Sequence, residues 1–165
     1  MNQRLYGFKV LAAVLAALIL SGPATAGEQV PFKSQSSGVS MAVGFDPVKG
    51  IAYQHAEGTG TATQLGHFTV TGEIAVYVNT PTGIALGNWT FTAANGDQLF
   101  AVMVGDGKDA LHGQGTFTFV GGTGRFQGAT GSCQQIITFA VNPATVPVVA
   151  YTDVLEGTIS SPGLQ

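Results

Sequence analysis

Tyr53, His55 and Glu57 stand at alternate positions and are the first residues in the chain whose types and spacing could move a proton. Residues at i, i+2 and i+4 share one face of an extended strand. Turned into an enclosed space, His55 beside Glu57 would be an oriented imidazole, with Tyr53 as a hydrogen-bond donor. Turned outward, the three would form a hydrated stripe, with Ala52, Gln54, Ala56 and Gly58 on the opposite face. Two further carboxyl groups have apolar neighbours. Glu73 opens the run Ile74 to Val78, and Asp153 shares strand parity with Tyr151 and Leu155. A carboxyl group in such a setting either faces a cavity with a raised pKa, as a candidate acid, or is paired with a base. Beyond residue 26 the bases are only Lys33, Lys49, Lys108 and Arg125, so pairing partners are scarce.

Arg125 follows Gly124 directly, and its fork could clamp a ligand carboxylate or tie a glycine-rich loop to Glu156 or Asp153. Trp89 and Phe91 share a face and form an apolar wall, either a stacking surface for a ligand or core. Cys133 is the only cysteine, so the chain cannot staple itself, and a buried small hydrophobe is the plain reading of that residue. His55, His67 and His112 show no metal-ligand spacing, and the chain has no G-x-S-x-G elbow and no P-loop. No metal and no cofactor are expected.

The elements that must position these residues are strands. Glycine recurs at intervals of no more than 11 residues from Gly38 to Gly131, and the longest glycine-free span, Ser132 to Glu156, contains Pro143 and Pro147. No ordinary helix survives that punctuation. Between the breakers lie runs rich in Thr, Val, Ile, Phe and Tyr. They predict strands over Val39–Phe45, Ile51–Thr61, His67–Asn79, Ala85–Ala94, Gln98–Val104, Leu111–Val120, Phe126–Val141 and Pro147–Ile159, with Val30–Lys33 as an extra. Asn95-Gly96 between apolar runs predicts a type I′ hairpin turn. Short loops between successive strands make an antiparallel meander. Leu99 to Val104 and Ile136-Ile137 are apolar on both faces, which calls for cover on both sides and suggests a homo-oligomer.

Gly fills 24 of the 165 positions and charged residues only 9%, while the apolar fraction is an ordinary 45%. Disorder, which needs low hydrophobicity and high net charge, is therefore excluded. Residues 1–26 have the three parts of a secretory signal: basic Arg4 and Lys9, the apolar run Val10 to Leu20, and the small-x-small site Ala24-Thr25-Ala26. The expectation is export, with cleavage after Ala26 and a single domain over 27–165. No later apolar run approaches transmembrane length. From residue 27 on, four bases face nine acids, a net charge of −5, so nucleic acid is a poor partner.

The segment Phe119-Val120-Gly121-Gly122-Thr123-Gly124-Arg125-Phe126-Gln127-Gly128-Ala129-Thr130-Gly131 resembles the glycine loop and following strand of the allene oxide cyclase and dirigent superfamily. Asn95-Gly96-Asp97 and the terminal Leu155-Glu156-Gly157-Thr158-Ile159 are similar to its bacterial, exported branch, and the likeness runs from about Gly58 to Ile159. It implies an all-β fold, a single antiparallel closed barrel of about eight strands, lipocalin-like in shape, with an apolar lumen and trimeric assembly. It also implies a theme, a cavity that holds a reactive apolar molecule while it cyclises or couples. The matching motif is a turn with its strand, so it carries no catalytic residue across.

Three functional classes follow. The first is an exported barrel that holds a small hydrophobic molecule in its lumen. The second is an isomerase or cyclase that uses the lumen as a mould. The third is a barrel filled by its own side chains that acts as a structural or interaction protein. Glycine on lumen faces would leave room, which favours a cavity.

Overall fold

The computed structural model describes residues 28–160; residues 1–26, read above as a secretory signal, lie outside them. Eight strands follow in sequence: β1 (Val30–Asp46), β2 (Ile51–Ala62), β3 (Gly66–Tyr77), β4 (Ile84–Ala93), β5 (Gln98–Gly107), β6 (His112–Gly122), β7 (Thr130–Phe139) and β8 (Val148–Ser160). Each is antiparallel to the next, and β8 returns to pair with β1 from Val30↔Ile159 to Met41↔Val148, so the barrel is closed and has no edge strand. The two segments expected separately at 30–33 and 39–45 are one 17-residue strand. The serines between them, Ser34, Ser36 and Ser37, pair on both sides, with β2 and with β8.

Two turns differ from their sequence signals. Among the described residues none other than glycine has positive φ, and Gly96 does, at +88°. A type I′ turn would need Asn95 there as well. The hairpin instead closes with Gly96 N–H donating to Ala93 O (2.9 Å) and Ala93 N–H to Asp97 O (2.9 Å), a three-residue loop with left-handed glycine last. Phe126, expected to open a strand, sits in a short 3₁₀ turn, Gly124–Phe126, and β7 starts at Thr130.

Parity sets the two faces. Phe68, Val70 and Ile74 of β3, Trp89 and Phe91 of β4, Leu99 and Met103 of β5, and Phe117 and Phe119 of β6 turn inward and are buried. Leu65, Phe126 and Ala129 plug the end of the barrel that carries the glycine loop. The strand that is apolar on both faces, β5, leaves Val104 exposed outside, opposite the exposed Leu86 of β4. Phe100, Val102 and Val120 line a shallow outer hollow beside it.

Candidate functional site

On its β3–β6 side the lumen is a packed aromatic cluster. Phe91 meets Phe68 and Phe117 with ring centroids 5.5 and 6.1 Å apart, Trp89 lies 5.5 Å from Phe117, and Phe32 lies 4.9 Å from Phe119. These are the separations of favourable edge-to-face pairs. The rings also occupy the space left by lumen glycines. A Cβ on Gly72 would lie 2.6 Å from the Trp89 indole, one on Gly87 2.8 Å from Trp89 Nε1, and one on Gly60 2.7 Å from Phe68 Cζ. One on Gly58 would lie 2.8 Å from the Tyr151 hydroxyl. The expectation that lumen glycines leave room is corrected accordingly: at Gly72 and Gly87 the missing side chain makes way for the Trp89 ring, and at Gly58 and Gly60 for backbone carbonyls of β1 together with Tyr151 and Phe68.

The β7–β8–β1 side is polar. Asp153 faces inward from β8, accepts a hydrogen bond from Ser36 Oγ on β1, and accepts another from Gln135 Nε2 on β7 at 2.9 Å. No base approaches it. Burial raises its carboxyl above the usual carboxylate range, and the two hydrogen bonds oppose that rise. Tyr151, two residues earlier on the same face, has its phenol pushed up by burial first and then by Asp153 and Glu57. Its hydroxyl, Ser34 Oγ and Trp89 Nε1 are buried with no protein partner among the described residues. Cys133 is buried one strand away, and burial pushes its thiol up to about 12, so it stays protonated and unreactive.

The remaining sequence candidates lie elsewhere. β2 turns Tyr53, His55 and Glu57 to the outer wall and Gln54, Ala56 and Gly58 to the lumen. Glu73 is outside too and has found a base: its Oε1 is 2.6 Å from His55 Nδ1, directly across the β2–β3 pair. Arg125 turns to the glycine-loop end. Its Nη2 donates to Leu65 O at 3.2 Å, its Nε lies 3.8 Å from Asp97 Oδ2, and its guanidinium stacks over Phe126 at 4.9 Å. It ties three loops together, and Asp97 takes the place expected of Glu156 or Asp153. Among the described residues, no group of three or more His, Cys, Asp or Glu side chains is placed to hold a metal ion. No described helix is long and apolar enough to cross a membrane.

A groove of about 770 Å³ runs over the outer wall from β8 to β4. Register makes it two parallel rows of side chains. Thr152, Ser37, Thr59, Thr69 and Thr92 are successive cross-strand partners, and Val154, Gln35, Thr61 and His67 form the row beside them. Sequence reasoning missed this groove, although Thr-x-Thr at 59–61, 69–71 and 90–92 was a legible signal. It missed Ser36 and Gln135 as well, because their partner becomes known only once β1, β8 and β7 are in register.

No protein-family model matches the chain, and no characterised protein is similar to it in sequence.

Proposed function

We infer that the chain is a non-catalytic binding barrel, its lumen filled by its own side chains, that meets its partner on its outer wall. One observation carries the reading: the Trp89 ring at Gly72 and Gly87, and the Tyr151 hydroxyl and Phe68 ring beside β1 backbone at Gly58 and Gly60, stand where lumen glycines would otherwise leave space. A ligand or a reacting intermediate in the lumen would have to displace them, which weighs against the ligand-holding and cyclase readings. The dispersal of the chemistry-bearing side chains supports the same view. His55 and Glu73 pair outside, Arg125 serves the loops, and Asp153 is held by Ser36 and Gln135 with no His, Lys or Arg beside it among the described residues. The exported address at residues 1–26 and membership of the allene oxide cyclase and dirigent superfamily belong to this proposal. So does self-association through the apolar face around Leu86, Val102 and Val104, since an exposed contiguous apolar patch marks an interaction site.

A second reading rests on a different observation. Trp89 Nε1 and the Tyr151 hydroxyl are buried donors without a protein partner among the described residues, and a small ligand with acceptor atoms would satisfy them. Fluorescence separates the two. Trp89 is the only tryptophan and lies in the lumen wall, so titration with fatty acids, terpenoids and aromatic probes reads out the lumen directly. The filled barrel predicts no saturable change in emission. A saturable shift with about one site per barrel, insensitive to salt, establishes the lumen ligand instead.

A further inference from the structure

We propose that the outer groove across β8, β1, β2, β3 and β4 is a binding site for a neutral oligosaccharide chain. This rests on the outer-wall reading above and names its ligand class.

Six hydroxyls line the two rows, those of Thr152, Ser37, Thr59, Thr69, Thr92 and Thr61, accompanied by Gln35 and His67. Only Thr92 among the six is engaged by a protein side chain, accepting from Gln98 Nε2 at 3.4 Å; the others form no side-chain hydrogen bond with the described residues. Each free hydroxyl is one donor and two acceptors, the complement of a sugar hydroxyl. No Lys, Arg or Glu lines the groove, and its one carboxylate residue, Asp153, turns its side chain inward to Ser36 and Gln135. Phosphate and sulfate groups would find no Lys or Arg there, and an apolar ligand would strand the hydroxyls.

Neighbouring strands lie ~4.8 Å apart, so the five-residue row from Thr152 to Thr92 extends over about 19 Å, with the second row about 7 Å to its side. That is the footprint of a chain of several sugar units, not of a single one. A peptide could not bind here by adding a strand, because a closed barrel offers no edge for it. The groove volume of about 770 Å³ lies within the range of sites that hold small ligands.

The test is amide-resonance mapping on the purified protein with uncharged hexasaccharides of glucose, xylose and N-acetylglucosamine, and with a polyanionic oligosaccharide for comparison. The expected result is saturable shifts at Thr59, Thr69, Thr92 and their neighbours with at least one neutral hexasaccharide. Thr59→Val and Thr69→Val keep side-chain shape and strand propensity while removing the hydroxyl, and each should weaken binding roughly three- to tenfold with unchanged melting. Absence of shifts at millimolar saccharide, shifts confined to another surface, binding of the polyanion alone, or undiminished binding by both variants each overturn the proposal. Trp89 emission is read in the same titrations. A silent groove with unresponsive Trp89 ends this inference and leaves the filled barrel standing, whereas a Trp89 response to apolar probes ends the filled barrel itself.

Discussion

Asp153 shows how a single residue can be found from sequence while its role is not. Parity with Tyr151 and Leu155 placed its carboxyl among apolar neighbours, and the structure puts it inside the barrel. The two groups that hold it, Ser36 and Gln135, come from strands 117 and 18 residues away in sequence, and no local pattern marks them. The faces of β2 were ambiguous for another reason. One carries Tyr53, His55 and Glu57, the other Gln54, Ala56 and Gly58, and neither is apolar enough for burial to choose between them on sequence alone. Close packing of Gly58 against the Tyr151 hydroxyl and the backbone of β1 goes with the face of small residues being the inner one. A pH dependence follows from Asp153. Its folded pKa is raised, so the folded chain holds that proton more tightly than the unfolded chain. The stabilisation is fully present below the unfolded value, ~4, and is lost as pH rises through the folded value. Asp153→Asn keeps hydrogen-bonding atoms for both partners and stays uncharged at every pH. Its urea midpoint relative to the parent should therefore rise as the pH is raised above about 4. A difference that stays constant as the pH is raised would show that the carboxyl ionises as freely in the barrel as in the unfolded chain.

Strands were legible because glycine and proline punctuate β-branched and aromatic runs, and their loops are short. Details of the turns were not, since Asn-Gly signals a hairpin without fixing how many residues the loop holds. The glycine loop is an intermediate case, its crowding of glycines visible and their separate reasons hidden. Gly121 and Gly124 adopt φ of +118° and +54°. Gly121 has open space around it, while a Cβ on Gly124 would overlap the Asp97 carboxylate. Gly122 has no positive φ, but a Cβ there would overlap the Gln98 carbonyl and lie 2.7 Å from Phe126 Cβ. Gly122→Ala and Gly124→Ala are each expected to destabilise by about 1–3 kcal/mol, with Gly121→Ala, strained in φ alone, the mildest of the three. Thermal melts of the single variants check the ranking. If all three melt with the parent, the plug formed by Phe126, with Arg125 across it, does not depend on this turn.

For the whole molecule, closure decides most of what the chain can do. With every strand paired on both sides, backbone groups are spent within the barrel, and recognition falls to side chains on the inner or outer wall. The sequence leaned toward the inner wall, because it counts glycines without showing which rings lie over them. Those rings come from other strands or from two residues along the same strand, as with Trp89 over Gly72 of β3 and Gly87 of β4. The central claim is that this lumen is full, and Gly72→Ala tests it most directly. The added methyl enters at 2.6 Å from the Trp89 indole. In a filled barrel, denaturant unfolding should show a loss of about 1–3 kcal/mol, the range for overpacking a close-packed core. Trp89→Phe in the same chain, which withdraws the indole from Gly72, should recover part of that loss as a non-additive term. A Gly72→Ala barrel as stable as the parent to within ~0.5 kcal/mol would contradict the account, because the methyl would then have entered space that was already empty.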